Sequence, residues 1–232
     1  MLPSVDVWWT LGDHAEPQRA AETARRLTAV PPEWRRGRRG RFLAEITRHC
    51  RAQSPQWSAK GAAKGWRFNL SSGQHLSLTD AGRHLIIAVG QGVPIGIDAE
   101  RLRPIDDATG TLERLGFAPL VAKMGRLAPA ARNRAFVHIW TAFEAFLKLE
   151  RLPWDTAAAE FSRVQEAWRF ATDGTASFDP PRSHPVAFHA VSTIPGIFLT
   201  VAAPSACRIA TRSWNLCPAG QTGRKFSADS TG

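Results

Sequence analysis

The segment that most constrains the fold is Pro129–Glu150, PAARNRAFVHIWTAFEAFLKLE, the longest and best-defined helical pattern in the chain. Phe136, Ile139, Phe143, Phe146 and Leu147 make one face apolar, while Trp140, Glu144 and Lys148 recur every four residues and share another. Pro153 stops the helix, because proline cannot donate to the ladder and clashes with the preceding turn.

Around this helix the pattern is mixed. Strand-like alternation is read at Ser4–Thr10, Leu76–Thr79, His84–Gly90 and Val93–Ala99, with a short strand at Trp66–Leu70. Further candidate strands are Phe161–Val164, Trp168–Thr172, Val186–Ser192 and Ile197–Ala202. Helices are expected at Ala15–Thr28, Glu33–Arg51, Thr109–Leu115 and Pro119–Arg126, and polar loops over Gln53–Gly73. After Ser205 a polar, glycine-rich stretch without periodicity reads as a disordered tail, residues 205–232. Strands and helices are interspersed rather than strictly alternating, so the expected class is α+β, or α/β with antiparallel sheets.

At 232 residues the chain can bury roughly 70% of its unfolded surface, enough for one large domain or two small ones without staples. Cys50, Cys207 and Cys217 are too few and too scattered for a disulfide framework or a zinc site, and their odd number favours free thiols. The opening MLPSVDVWWT has neither the charged nor the apolar region of a secretory signal, and no apolar run approaches the ~18 residues of a membrane span. A cytoplasmic protein, off the membrane, is expected.

The formal charge is +10, from 30 Lys+Arg against 20 Asp+Glu. Such a balance suits nucleic acid, anionic lipid, an acidic protein or a phosphorylated small molecule. The densest run is Arg35, Arg36, Arg38, Arg39 and Arg41, and Gly37 and Gly40 weaken any unbroken helix there. One reading is a solvated basic face; the other is a phosphate-binding patch, since Arg presents forked donors that match phosphate oxygens. Only Trp34 and Phe42 flank the run, poor interleaving for single-stranded nucleic acid.

Two segments carry chemistry. In PIGIDAERLRP, Asp98 and Glu100 are two apart on a strand and project from the same side. Paired carboxylates are costly without a cation between them, and Mg²⁺ with substrate phosphates is a common partner. The alternative is a strand end with exposed acids beside Arg101 and Arg103. In the long helix, Glu144 and Lys148 are either an i, i+4 surface pair or a third carboxylate and a cation brought opposite Asp98 and Glu100.

In this order, G-I-D-A-E at 96–100 and W-T-A-F-E-A-F-L-K at 140–148 resemble the two motifs of the larger, Sfp-type class of 4′-phosphopantetheinyl transferases. VDVWW is similar to that family's opening strand, RRGRFLAE to its Arg-rich helix, and HLSLTDAGRHLIIAV to a further pair of strands. The resemblance extends from about Val5 to Ala203. It implies two pseudo-symmetric α+β halves, each a small antiparallel sheet packed on a long helix, over 1–103 and 104–204. It also implies transfer of the phosphopantetheine arm of coenzyme A to a serine of an apo acyl or peptidyl carrier protein. Mg²⁺ would be held by Asp98, Glu100 and Glu144; Glu144 would also take the serine proton, and Lys148 would hold a phosphate or the leaving group. Arg41, Arg36 and Arg67 would meet phosphates of coenzyme A, with Thr79 and Asp80 beside them. Neither nucleic acid nor membrane is an expected partner, and a monomer is expected.

Two positions depart from the family pattern. Phe143 stands where the family has a lysine, and Asp80 where it has a phosphate-contacting histidine. Both are expected in the site: Phe143→Lys and Asp80→His should raise activity if the departures only attenuate it, and leave it unchanged or lower if the site has been rebuilt for something else. A second reading is a degenerate member that binds carrier protein or coenzyme A without turnover; a third, a nucleic-acid-binding protein, rests on charge alone and is opposed by the motif order.

Overall fold

The computed structural model describes residues 4–11, 67–69, 73–82, 84–179, 185–192, 194–204 and 207–213. In chain order the described elements are β1 (Ser4–Leu11), β2 (Arg67–Asn69), β3 (Gln74–Ala81), β4 (His84–Gln91) and β5 (Gly96–Arg101). Then come α1 (Ala108–Arg114), α2 (Ala118–Met124), α3 (Pro129–Glu150) and α4 (Trp154–Ser162), and a 3₁₀ turn at Gln165–Ala167. β6 (Trp168–Phe170), β7 (Ala176–Phe178), β8 (Val186–Val191), β9 (Ile197–Pro204) and β10 (Arg208–Ser213) follow. The expected helices at Ala15–Thr28 and Glu33–Arg51 lie outside the described residues.

The result is a mixed α+β protein with small sheets and one long helix. One sheet has the order β10-β1-β4-β3-β2, antiparallel except for the parallel β1–β10 pair; a second is β5-β9-β8, antiparallel throughout; a third is the β6–β7 hairpin. β4 lies between β1 and β3, and its apolar run Leu85–Val89 is buried on both faces. Val5, Val7, Ile86 and Ala88 join Ile97, Ala99, Leu199 and Val201 in one core, so the first two sheets pack face to face. β5, which precedes residue 103, pairs with β9, which lies far beyond it.

α3 covers the other face of the second sheet and packs against both β5 and β9. Its far side carries Phe136, Ile139, Phe143 and Phe146 into a core shared with Phe117, Phe161 and Trp168. The helix ends at Arg151, whose left-handed backbone (φ 59°) lets its N–H reach the Leu147 carbonyl, and Pro153 then opens α4. Gly174 turns the β6–β7 hairpin with φ 84°, and a Cβ there would overlap the Ala131 carbonyl of the first turn of α3. No helix among the described residues is long and apolar enough to cross a membrane.

Two expectations are corrected, and one strand is new. The strand read at Phe161–Val164 is the end of α4 and the turn after it; Ala157, Ala158 and Phe161 bury one helical face, and WDTAAAEFS is too short for its period to stand out. β7 was unanticipated, three residues held by pairing with β6. β10 forms inside the stretch expected to be disordered, with Ile209 packed beside the first core and its backbone laid parallel to β1.

The pivotal contact is at Gly96. A Cβ there would fall on the Ala145 carbonyl oxygen and against the Leu149 amide, so β5 reaches the backbone of α3 only because residue 96 has no side chain. Gly96→Ala should therefore cost about 3 kcal/mol by overpacking, read as a lower urea midpoint with an unchanged m-value. His138, on the sheet side of α3, meets Phe198 edge-on at 4.7 Å. Burial and the Arg134 charge hold its pKa down to about 4, with Asp173 opposing. Its unfolded imidazole protonates near 6.5, so the unfolded chain binds more protons between those values. Stability should fall as pH drops through that window, and the fall should be shallower in His138→Gln.

Candidate functional site

With β5 against α3, Lys148 reaches across the contact. Its Nζ donates to Asp98 Oδ1 at 2.7 Å and to the Ile97 carbonyl at 3.0 Å. Both side chains are nearly shut off from water, 11% exposed for Lys148 and 6% for Asp98, so this ion pair is little screened. From the neighbouring sheet, the Thr79 hydroxyl donates to the same Oδ1 at 3.0 Å, and Ser77 Oγ accepts the Ile97 N–H at 3.1 Å. These two β3 side chains stitch the first sheet to the free edge of β5. Thr79 was expected near a phosphate, and Ser77 was missed, because five of the eight residues of QHLSLTDA are polar and nothing in the sequence singles it out. The Thr141–Thr200 hydroxyl contact at 2.8 Å, which ties α3 to β9, was missed as well.

Asp98 is not fully compensated. Among the described residues Oδ2 is buried with no hydrogen-bond partner of good geometry, and a backbone hydrogen bond from the Ala99 amide is the weakest of the influences that favour the charged carboxyl. Burial pushes the carboxyl pKa up, and Lys148 and Thr79 pull it only part of the way back. Glu100, half-buried on the same strand, is also pushed up, first by burial and then by the charges of Asp98 and, more weakly, Asp80; Arg103 and Lys148 oppose this. Glu100 thus feels both Asp98 and Asp80, and Lys148 is the cation common to Asp98 and Glu100.

Glu144 is half-buried one turn before Lys148 on α3. Among the described residues no three of His, Cys, Asp and Glu stand close enough as they are to cage a metal ion. The donor chemistry nevertheless suits a hard divalent cation: all the donors are carboxylate oxygens, and one of them, Asp98 Oδ2, is buried and unpartnered. Mg²⁺ is commonly held by only one or two protein carboxylates when phosphates complete its shell. Arg36 and Arg41 lie outside the described residues, as does the side chain of Arg67.

The expectation that Phe143 lies in the site is corrected. Its ring is fully buried, edge-on to Phe117 at 5.3 Å and to Trp154 at 4.9 Å, and 5.4 Å from Phe161. One residue along a helix turns the side chain by 100°, so Phe143 enters the aromatic core while Glu144 follows Trp140 and Lys148. Asp80, by contrast, is exposed at the end of β3 and contributes its charge to Glu100. Phe143→Lys should bury an ammonium among rings and cost more than about 4 kcal/mol, where Phe143→Leu costs about 1–3 kcal/mol; urea melts of the two variants check this, and no gain of activity should accompany the lysine.

No protein-family model matches the chain, and no curated protein matches it in sequence.

Proposed function

We propose that the chain is a 4′-phosphopantetheinyl transferase that moves the phosphopantetheine arm of coenzyme A to a serine of an apo acyl or peptidyl carrier protein, releasing adenosine 3′,5′-bisphosphate. The observation that carries this reading is that residues of the two resembling motifs meet in one place: Asp98 of G-I-D-A-E is bound to Lys148 of W-T-A-F-E-A-F-L-K at 2.7 Å, with one carboxylate oxygen left over. Two pseudo-symmetric halves are the arrangement this reading carries with it.

Each residue then has a task. Asp98, through Oδ2, with Glu100 and Glu144, would hold Mg²⁺. When bound, the cation supplies neutralisation of the diphosphate charge as the P–O bond breaks. Glu144, on the rim of α3, takes the proton of the attacking serine hydroxyl, directly or through one water. Lys148 keeps Asp98 oriented; its ammonium has three donors, and the Asp98 and Ile97 bonds use two. Arg36, Arg41 and Arg67 are assigned to the phosphates of coenzyme A on the resemblance alone. The surplus of basic residues favours an acidic carrier protein as partner by steering encounter.

A non-catalytic carrier-protein or coenzyme A binder is favoured by one observation. Asp80 puts a negative charge where the family has a histidine, and that charge is felt at Glu100. Mass spectrometry separates the two. Incubated with coenzyme A, Mg²⁺ and apo carrier proteins from the same genome, the protein should add one phosphopantetheine to a serine. Asp98→Ala and Glu144→Ala should each lower the rate by at least about 10³-fold while melting cooperatively. Binding of coenzyme A or a carrier with no mass gain on any carrier would establish the alternative; no binding and no transfer would refute both.

A further inference from the structure

At the edge of the second sheet farthest from Asp98, a cavity of about 340 Å³ opens between the β6–β7 hairpin, β8 and α3. Trp168, Phe178 and Phe188 form apolar walls, and His138, Ser177, Thr200 and His189, whose buried Nε2 has no partner among the described residues, supply polar groups. The three rings pack on one another, with centroids 4.8–5.5 Å apart, so the walls are pre-formed. The volume is at the low end for small-molecule sites, enough for one or two fused rings.

Trp168 is only 3% exposed, yet its indole N–H has no acceptor among the described residues. A buried donor in that state calls for a partner, and an indole can only donate. His138 borders the same space, and its ring is neutral at physiological pH, so it can donate one hydrogen bond. Arg134 stands one turn earlier on α3, with its guanidinium carbon 5.6 Å from the centre of the Phe198 ring, and its charge reaches His138; Asp173 partly offsets it. An indole donor without an acceptor among the described residues, a neutral His138 and the nearby charge of Arg134, at a cavity walled by aromatic rings, suit a flat, acceptor-bearing, anionic molecule.

We propose that this cavity binds a small aromatic carboxylate, its ring against the wall formed by Trp168, Phe178 and Phe188 and its oxygens on the Trp168 indole N–H and the His138 imidazole. The site is separate from the carboxylate cluster, and no step of the proposed transfer uses it. It is nevertheless in line with it: Thr200, which borders the cavity, stands in register with Asp98 on one side and Ala190 on the other.

The test uses the full chain, with 2-naphthoate as probe and the neutral naphthalene-2-methanol as control, followed by tryptophan fluorescence and ligand-observed NMR. Saturable naphthoate binding, at least about fivefold tighter than the alcohol, is expected. Trp168→Phe keeps a ring but removes the N–H, and should weaken binding by about fivefold to tenfold. Ala190 borders the cavity and is exposed on β8, so Ala190→Phe should block the site without disturbing the core. Thermal melts report whether each variant folds; should Trp168→Phe fail to fold, Ala190→Phe carries the test. Non-saturable binding, equal affinity for acid and alcohol, or binding indifferent to Ala190→Phe would overturn the proposal and leave a water-filled space. Transfer to carrier proteins is measured separately, so either conclusion can fail alone.

Discussion

The structure depends on one backbone-to-backbone approach, that of β5 on α3 at Gly96. Helix and sheet normally stand apart by the thickness of their side chains. Here one strand residue has none, and the strand drops onto the helix between Ala145 and Leu149. A lysine one turn from Glu144 can then reach past the strand to Asp98 and to the Ile97 carbonyl at once. The apolar cores on either side of the second sheet hold this contact in place. Without it, Asp98 would be a buried acid with no counter-charge, a state that costs several kcal/mol.

The electrostatics of the cluster are unfinished in a specific way. A buried ion pair repays its desolvation only when the remaining lone pairs are satisfied. Asp98 Oδ1 accepts from both Lys148 and Thr79, whereas Oδ2 has no hydrogen-bond partner of good geometry among the described residues. Glu100 adds a second acid, and Asp80 sits close enough for its charge to count. Acid therefore accumulates at the end of β5 in a protein whose overall charge is positive.

Much of the fold was legible where period and length were strong. α3 runs from Pro129 to Glu150, as its apolar spacing and the stop at Pro153 indicate, and β4 (His84–Gln91) is built on the continuous apolar run Leu85–Val89. Short elements were less legible because tertiary contacts define them: α4 is nine residues, β7 three, and β10 exists through its pairing with β1. At the site, the Asp98–Lys148 meeting followed from strand and helix periodicity together with the resemblance. Ser77 was not legible, since nothing local says that a strand serine will cap the amide of another sheet's edge. Phe143 shows the opposite error. A motif position was read as a site position, although the same helical spacing that put Glu144 and Lys148 together turned residue 143 into the core.

The parallel seam between β1 and β10 bears on how the chain acquires its shape. Ser4 lies opposite Arg208, so the first strand described gains its outer neighbour from a segment synthesised long after it. Closing so large a loop is slow compared with forming a hairpin such as β3–β4. During synthesis one edge of β1 waits bare, a row of unpaired amides and carbonyls that invites wrong partners. Its late strand acts as a zip fastener: until it is drawn shut, the nascent protein is at its most vulnerable to aggregation.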